Sequence, residues 1–212
     1  MLSPPFEDRV AAGKLLAEIL GLVLPDGAVT VGLARGGVVV AAEVARLLGW
    51  QLDVVAVRKI GAPEQPEYAL GAVAPGADAV IRDRAGLDDA ALAGLVAAAR
   101  SRAEELDRRL HAETPPLDLD GRVCVLVDDG LATGATMVAA IRWARRGGAA
   151  RVLAAVPVGA RVSAAAIANE PAELVCPYLL ADFGALGFWY DHFEQVDDDE
   201  VVRLLAEARG RT

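Results

Sequence analysis

Two adjacent carboxylates, Asp128 and Asp129, follow the apolar run Val123-Cys124-Val125-Leu126-Val127 and precede Gly130-Leu131-Ala132-Thr133-Gly134-Ala135-Thr136. An apolar run of this kind is a buried strand, and it delivers the two acids to its C-terminal end, where open α/β sheets bind ligands. The small residues Ala132, Gly134 and Ala135 let backbone N–H groups approach an anion closely, and the helix they open favours negative charge. Thr133 and Thr136 add hydroxyl donors. Each charge-assisted hydrogen bond contributes about 1.5–3 kcal/mol, so four or five would hold a phosphate firmly. Carboxylates accept hydrogen bonds, so beside a phosphate they suit the 2- and 3-hydroxyls of a ribose whose 5-phosphate sits in the loop. The plain alternative is a strand–helix junction with an Asp cap.

A second loop, Val31-Gly32-Leu33-Ala34-Arg35-Gly36-Gly37, also leaves a strand and enters a helix, with Arg35 as a cation beside the small pair Gly36 and Gly37. Its spacing is not the G-x-G-x-x-G of a dinucleotide fold. Arg58 and Lys59 end the next apolar run and would add positive charge, or else are two solvated cations at a strand end. Aromatic residues concentrate in the tail: Phe183, Phe188, Trp189, Tyr190 and Phe193.

Apolar runs alternate with helix-period segments along the chain, the pattern of a parallel α/β sheet. Residues 6–20 are expected to form an amphipathic helix ended by Gly21 and Pro25. Residues 29–34 form a short strand, and Gly36-Gly37 turns it into a helix through Leu48 that Gly49 closes. A second strand covers residues 52–57. Residues 61–66, rich in Gly, Pro and polar side chains, form a mobile loop, and a β segment spans 69–81. Asp88 caps a long helix to about residue 113, stopped by Pro115-Pro116. Residues 123–127 form the central strand, 135–146 a helix burying Met137, Ile141 and Ala144, and 151–158 the next strand. With no internal repeat or low-complexity linker, the chain is expected to be one unit.

The stretch from Val125 to the Thr- and Gly-rich loop resembles the 5-phosphoribosyl 1-diphosphate motif of the type I phosphoribosyltransferases. The resemblance implies that Asp128 and Asp129 hold the ribose hydroxyls and that Ala132, Thr133, Gly134, Ala135 and Thr136 hold the 5-phosphate. The Arg35-Gly36-Gly37 loop resembles the pyrophosphate loop of the same enzymes, and the segment after Lys59 resembles their lid. Phe6-Glu7-Asp8-Arg9 with Ala12-Gly13, Arg58-Lys59-Ile60-Gly61-Ala62-Pro63, Pro66-Glu67-Tyr68-Ala69-Leu70-Gly71-Ala72 and Trp189-Tyr190-Asp191-His192-Phe193-Glu194-Gln195 resemble a bacterial subgroup of the family. Val39 departs from the pattern, which has a proline there. The implied architecture is a parallel sheet core over about residues 26–180 flanked by helices, with an N-terminal helix and a small hood over about 181–212.

The implied reaction displaces pyrophosphate from phosphoribosyl diphosphate by a nitrogenous base. Arg35, Arg58 and Lys59 would neutralise the leaving group, and Mg²⁺ would ride on the diphosphate. In the hood, Trp189 and Tyr190 are expected either to cover the acceptor base or to belong to a small satellite core. The rival is a non-catalytic sensor of a nucleotide or of phosphoribosyl diphosphate on the same fold. A dinucleotide-binding oxidoreductase is a weaker third reading.

Composition narrows the field further. The chain of 212 residues has a net charge of −9, and a phosphate-backbone binder needs clustered Lys and Arg, so nucleic acid is not an expected partner. The longest charge-free apolar run, 130–141, is too short for a membrane span, and the acidic start does not resemble a signal peptide. A cytoplasmic protein without membrane partners, compatible with a homodimer, is expected. Cys124 and Cys176 lie in apolar runs and are expected to be buried thiols. His111 and His192 lack metal-ligand spacing and are expected on the surface or in loops. Ser3, Ser101 and Ser163 form no nucleophile elbow.

Overall fold

The computed structural model describes residues 5–24, 26–65 and 68–210. Pro25, and Pro66 and Glu67 of the segment compared above with a lid, lie outside the described residues. The centre is a five-stranded parallel sheet in the order β2-β1-β6-β7-β9, formed by β1 (Val29–Leu33), β2 (Gln51–Val55), β6 (Val123–Val127), β7 (Arg151–Ala155) and β9 (Glu173–Val175). An antiparallel sheet of β3 (Arg58–Gly61), β4 (Ala69–Val73) and β5 (Val80–Ile81) stands beside it. A parallel pair joins β8 (Val158–Ala160) to β10 (Tyr178–Leu180).

Side chains alternate along the central strands, so each strand feeds two cores. Cys124 and Leu126 pack with Met137 and Ile141 of α4 (Ala135–Arg146). Val125 and Val127 pack on the opposite face, with Leu16 and Leu20 of α1 (Arg9–Val23), Val40 and Val44 of α2 (Gly36–Leu48), and Val201 and Leu205 of α6 (Asp198–Arg209). The long helix α3 (Asp89–Leu110) ties the two sheets together. Ala99 packs with Ile60 and Leu70 of the antiparallel sheet, while Leu106 and Leu110 reach the main core. The short helix α5 (Arg161–Ala168) completes the set.

The bounds of α2, β6 and α4 are those expected from the sequence; three other expectations need correction. The first helix starts at Arg9 rather than residue 6, because Asp8 is extended and its carboxylate accepts from the Ala11 N–H. It also runs past Gly21 to Val23, with Leu24 as its C-cap. Arg58 and Lys59 do not end β2. That strand stops at Val55, and the two cations open β3 in the other sheet, where Arg58 pairs with Val73. β7 likewise stops at Ala155, two residues short of β8. Among the described residues no helix is long and apolar enough to cross a membrane.

Candidate functional site

Because β1 and β6 are neighbours in register, Gly32 opposite Val127, the loops that leave them emerge side by side. The contact between these loops explains the glycine pair. A Cβ on Gly37 would lie 2.6 Å from the Val127 carbonyl oxygen and 2.8 Å from the Asp128 Cα, and one on Gly36 would overlap the Asp129 carboxylate. Gly134, at φ +79°, starts α4 in the left-handed region. Val39, in the first turns of α2, leaves that helix continuous.

Helix capping separates these two loops from most other helix starts. α1, α3 and α6 begin with an aspartate whose carboxylate accepts a backbone N–H: Asp8, Asp88 and Asp197. α2 and α4 begin with no side-chain cap and no acidic residue in the first turn, as does α5, none of whose residues lines the cavity described next. The first N–H groups of a helix need partners from outside it. At α2 and α4 they meet at one cavity, where an anion can supply them.

That cavity has a volume of about 630 Å³. Ala132, Thr133 and Thr136 line it on one side and Arg35 and Gly36 on another, with Asp128 and Asp129 between them. Arg58 and Lys59 contribute from β3, and Arg102 reaches in from α3. Gly37, Gly134 and Ala135 are buried just behind the wall as backbone supports. The expected loops and cations therefore converge on one cavity, and Arg102 is a cation that the sequence reading missed.

The cavity is electrostatically divided. Burial, then the neighbouring Arg35 charge, holds the Arg58 guanidinium below its ordinary pKa. Its Nε is buried with no hydrogen-bond partner among the described residues. Burial pushes the Asp128 carboxyl well above the usual carboxylate range, and the charge of Asp129 pushes the same way. Asp129 is committed to Arg9, whose Nε donates to Oδ2 at 2.8 Å. Arg9 also donates to the Glu194 carbonyl at 2.8 Å and lies 3.9 Å from the centroid of the Phe193 ring. Arg9 stood in a motif compared above with the family subgroup, but nothing in its local pattern foretold a contact 120 positions away.

The hood aromatics correct an expectation. Tyr190 is 4% exposed, and its hydroxyl donates to the Asp129 carbonyl at 2.6 Å. Phe6 and Phe193 flank its ring, with centroids at 5.5 and 5.0 Å. Trp189 packs on Phe183, and its indole N–H donates to the Phe183 carbonyl. Neither Trp189 nor Tyr190 lines the cavity, so the satellite-core alternative describes both. The hood residue on the cavity wall is Leu186, which sits over Gly130.

Two further polar contacts support the site from outside. Arg82, just beyond β5, donates to the Thr133 carbonyl at 2.7 Å, and Ser163 donates to the Ala132 carbonyl. Holding these carbonyls outward helps turn the intervening amides towards the cavity. His111 lies in the turn after α3, within the expectation of a loop, but its side chain is only 7% exposed and contacts Asp53 at 3.0 Å. Cys124 is buried, Cys176 half-buried, and both are free thiols.

A parallel sheet with paired strand-end loops around two acids and a cluster of cations is the architecture of a phosphoribosyl-group enzyme family, and comparison with known proteins agrees. Residues 11–177 match the family described as phosphoribosyl transferase domain. The chain belongs to that family, and its fold is the type I phosphoribosyltransferase fold of a parallel sheet core with flanking helices. It is 43% identical over 210 residues to the Mycobacterium tuberculosis H37Rv protein Rv0571c, provisionally named a phosphoribosyl transferase. That match covers 96% of this chain and 47% of the relative, so the chain spans about half the length of the curated relatives it matches. The crystal structure of TT1426 from Thermus thermophilus is 43% identical with a TM-score of 0.81, covering 95% of this chain and 98% of that one. The AQ2163 protein of Aquifex aeolicus, at 12% identity and a TM-score of 0.51, shares the fold.

Proposed function

We propose that this chain transfers ribose 5-phosphate from 5-phosphoribosyl 1-diphosphate to a nitrogenous base, releasing pyrophosphate. The observation that carries the reading is the convergence of two uncapped helix N-termini on one cavity, with Asp128 and Asp129 between them. Two anionic groups are called for, one per helix, joined by something that offers hydroxyls to carboxylates. A phosphorylated ribose bearing a diphosphate meets all three demands.

In this reading the 5-phosphate takes the amides and hydroxyls of residues 132–136, and Asp128 accepts from a ribose hydroxyl. Asp129, held by Arg9 at one oxygen, would turn to the second hydroxyl. The diphosphate lies against Arg35, Arg58 and Lys59. As the bond from C1 to the diphosphate oxygen breaks, positive charge develops on the ribose and negative charge on the leaving group. The protein's part is to hold both in place and to stabilise the charge that leaves. Among the described residues no group of three or more His, Cys, Asp or Glu could hold a metal ion. In this reading Mg²⁺ would come with the diphosphate and would supply further charge neutralisation.

One observation favours the sensor alternative: among the described residues the hood lines this cavity with the aliphatic Leu186, and Phe193, which lines the neighbouring cavity, already has Arg9 over its ring. Pyrophosphate release, followed over time with a panel of purine and pyrimidine bases, separates the two readings when donor binding is measured in parallel. Transfer predicts release with at least one base. Donor binding with no release on any base would instead support the sensor.

A further inference from the structure

Arg35 is the cation nearest the start of α2 and lines the main cavity and a neighbouring one of about 390 Å³. An arginine on a loop has many rotamers, and a ligand must bear the cost of ordering it unless the protein has already done so. Here the ordering comes from the C-terminal helix. The Arg35 Nε donates to Asp198 Oδ1 at 2.6 Å. Asp198 is the first residue of α6, and its side chain is 14% exposed. Its second oxygen, Oδ2, is 3.1 Å from Arg109 Nη1 in the last turn of α3, so the carboxylate is pinned at both oxygens. Asp197 caps the helix, which leaves Asp198 free for this contact.

The contact is made through Nε alone, which leaves the two terminal nitrogens of Arg35 for an incoming anion. Asp198 is felt by the second cation too. The Arg58 guanidinium, depressed by burial and by the charge of Arg35, is partly restored by Asp198. Two guanidinium groups of like charge thus share one cavity wall, and a third group supplies counter-charge from behind.

We propose that Asp198 is a positioning residue for Arg35: its carboxylate, itself held by Arg109, orients the guanidinium so that its outer edge meets the diphosphate end of the ligand. The proposal rests on the phosphoribosyl-transfer reading of the cavity and adds to it a role for the C-terminal helix. An orienting contact and a purely electrostatic one respond oppositely to two mild substitutions. Asp198→Asn keeps one acceptor oxygen for Arg35 and gives up the charge together with the contact to Arg109. Asp198→Glu keeps the charge and displaces the oxygen by a methylene. Both residue types suit the first turn of a helix, so α6 is retained.

The test is calorimetric titration of inorganic pyrophosphate and, separately, ribose 5-phosphate into wild type, both Asp198 variants and Arg35→Ala. Positioning predicts that Asp198→Glu loses pyrophosphate affinity by about tenfold, the scale of one charge-assisted hydrogen bond, while Asp198→Asn stays within about threefold of wild type. Ribose 5-phosphate affinity should be unchanged in both variants, which a general weakening of the fold would not spare. The reverse order, with the Glu variant binding like wild type and the Asn variant altered, overturns the proposal, as does an equal loss for both ligands. If wild type takes up neither probe, the functional reading itself falls. If wild type binds both and Arg35→Ala loses only pyrophosphate, a failure of the Asp198 pair counts against Asp198 alone.

Discussion

The loop between β6 and α4 and the hood over residues 186–196 face the same cavity but were built by different rules. The loop is local: apolar strand, two acids, small residues and helix follow one another in the chain. Its acids, its open backbone and the helix start all lie within one short, unbroken stretch of sequence, and outside residues such as Arg82 and Ser163 only brace it. The hood is assembled from a distance. Tyr190 pairs with Phe6 and bonds Asp129, and Arg9 joins Asp129 to the Glu194 carbonyl. Clustered aromatics in the hood build a scaffold that holds the acid pair, whereas clustered small residues in the loop leave its backbone open to a ligand. Residue type alone thus says less about contact with substrate than whether a residue's partners are already in the protein.

The sharpest way to break this comparison is to remove a buried hood ring. Tyr190→Ala should destabilise the fold by about 3–5 kcal/mol, the usual loss for a buried aromatic. Phe188→Ala, at a position 74% exposed, should stay within about 0.5 kcal/mol of wild type. Denaturant melts of both variants check the contrast. Similar, small losses for the two would show that the hood is not a core.

A second expectation concerns His111, buried between Asp53 and Asp107. Burial alone would lower its pKa, but hydrogen bonds to Asp107 and Asp53 outweigh burial and raise it to about 10. A histidine in an unfolded chain titrates near about 6.5. A raised pKa means that the folded state holds the proton more tightly. The contribution to stability is therefore complete below the unfolded value and is lost as pH rises through the folded one. Unfolding free energy measured across that interval should fall with pH in wild type and should be flatter in His111→Asn. Parallel pH profiles for the two proteins would show that the histidine is not the titrating group.

A smaller effect is expected at Leu186, the hood residue that does meet the cavity. Leu186→Ala removes apolar wall without touching the acids or the cations. It should raise the KM for the acceptor by about tenfold, the low end of what one missing methylene costs in a pocket, and leave donor affinity unchanged. Steady-state kinetics with each substrate varied in turn would check this. A loss confined to the donor would place Leu186 on the wrong side of the site.

How much of this was legible follows the same division. The limits of α2, β6 and α4 were readable because period, capping and glycine punctuation are local signals. So was the meeting of Asp128, Asp129, Arg35 and the 132–136 loop at one cavity. Arg58 and Lys59 were placed in the right cavity for a partly wrong reason: they open an antiparallel strand, and its pairing with Val73 and Ala72 is a tertiary choice. Arg102 on α3, Leu186 in the hood and Asp198 on α6 arrive from elements far apart in sequence, and no spacing rule connects them. The burial of His111 was not legible because a lone histidine at a helix end carries no sign of the buried Asp53 it meets. Arg9 stood in a motif that resembled the family subgroup, but its partner Asp129 lies 120 positions away.

The central claim, that the cavity at the ends of β1 and β6 takes 5-phosphoribosyl 1-diphosphate, is tested most directly by titrating that compound with Mg²⁺ into wild type and Asp128→Asn. Asp128 is the better of the two acids for this purpose, because Asp129 also anchors Arg9. Wild type should bind one equivalent, and at about 100 times the dissociation constant it should gain roughly 2.7 kcal/mol of stability. Asp128→Asn should melt no lower than wild type without ligand and bind about tenfold more weakly, the loss of one charged hydrogen bond. Absence of binding by wild type at millimolar ligand, or undiminished binding by Asp128→Asn, would contradict the account.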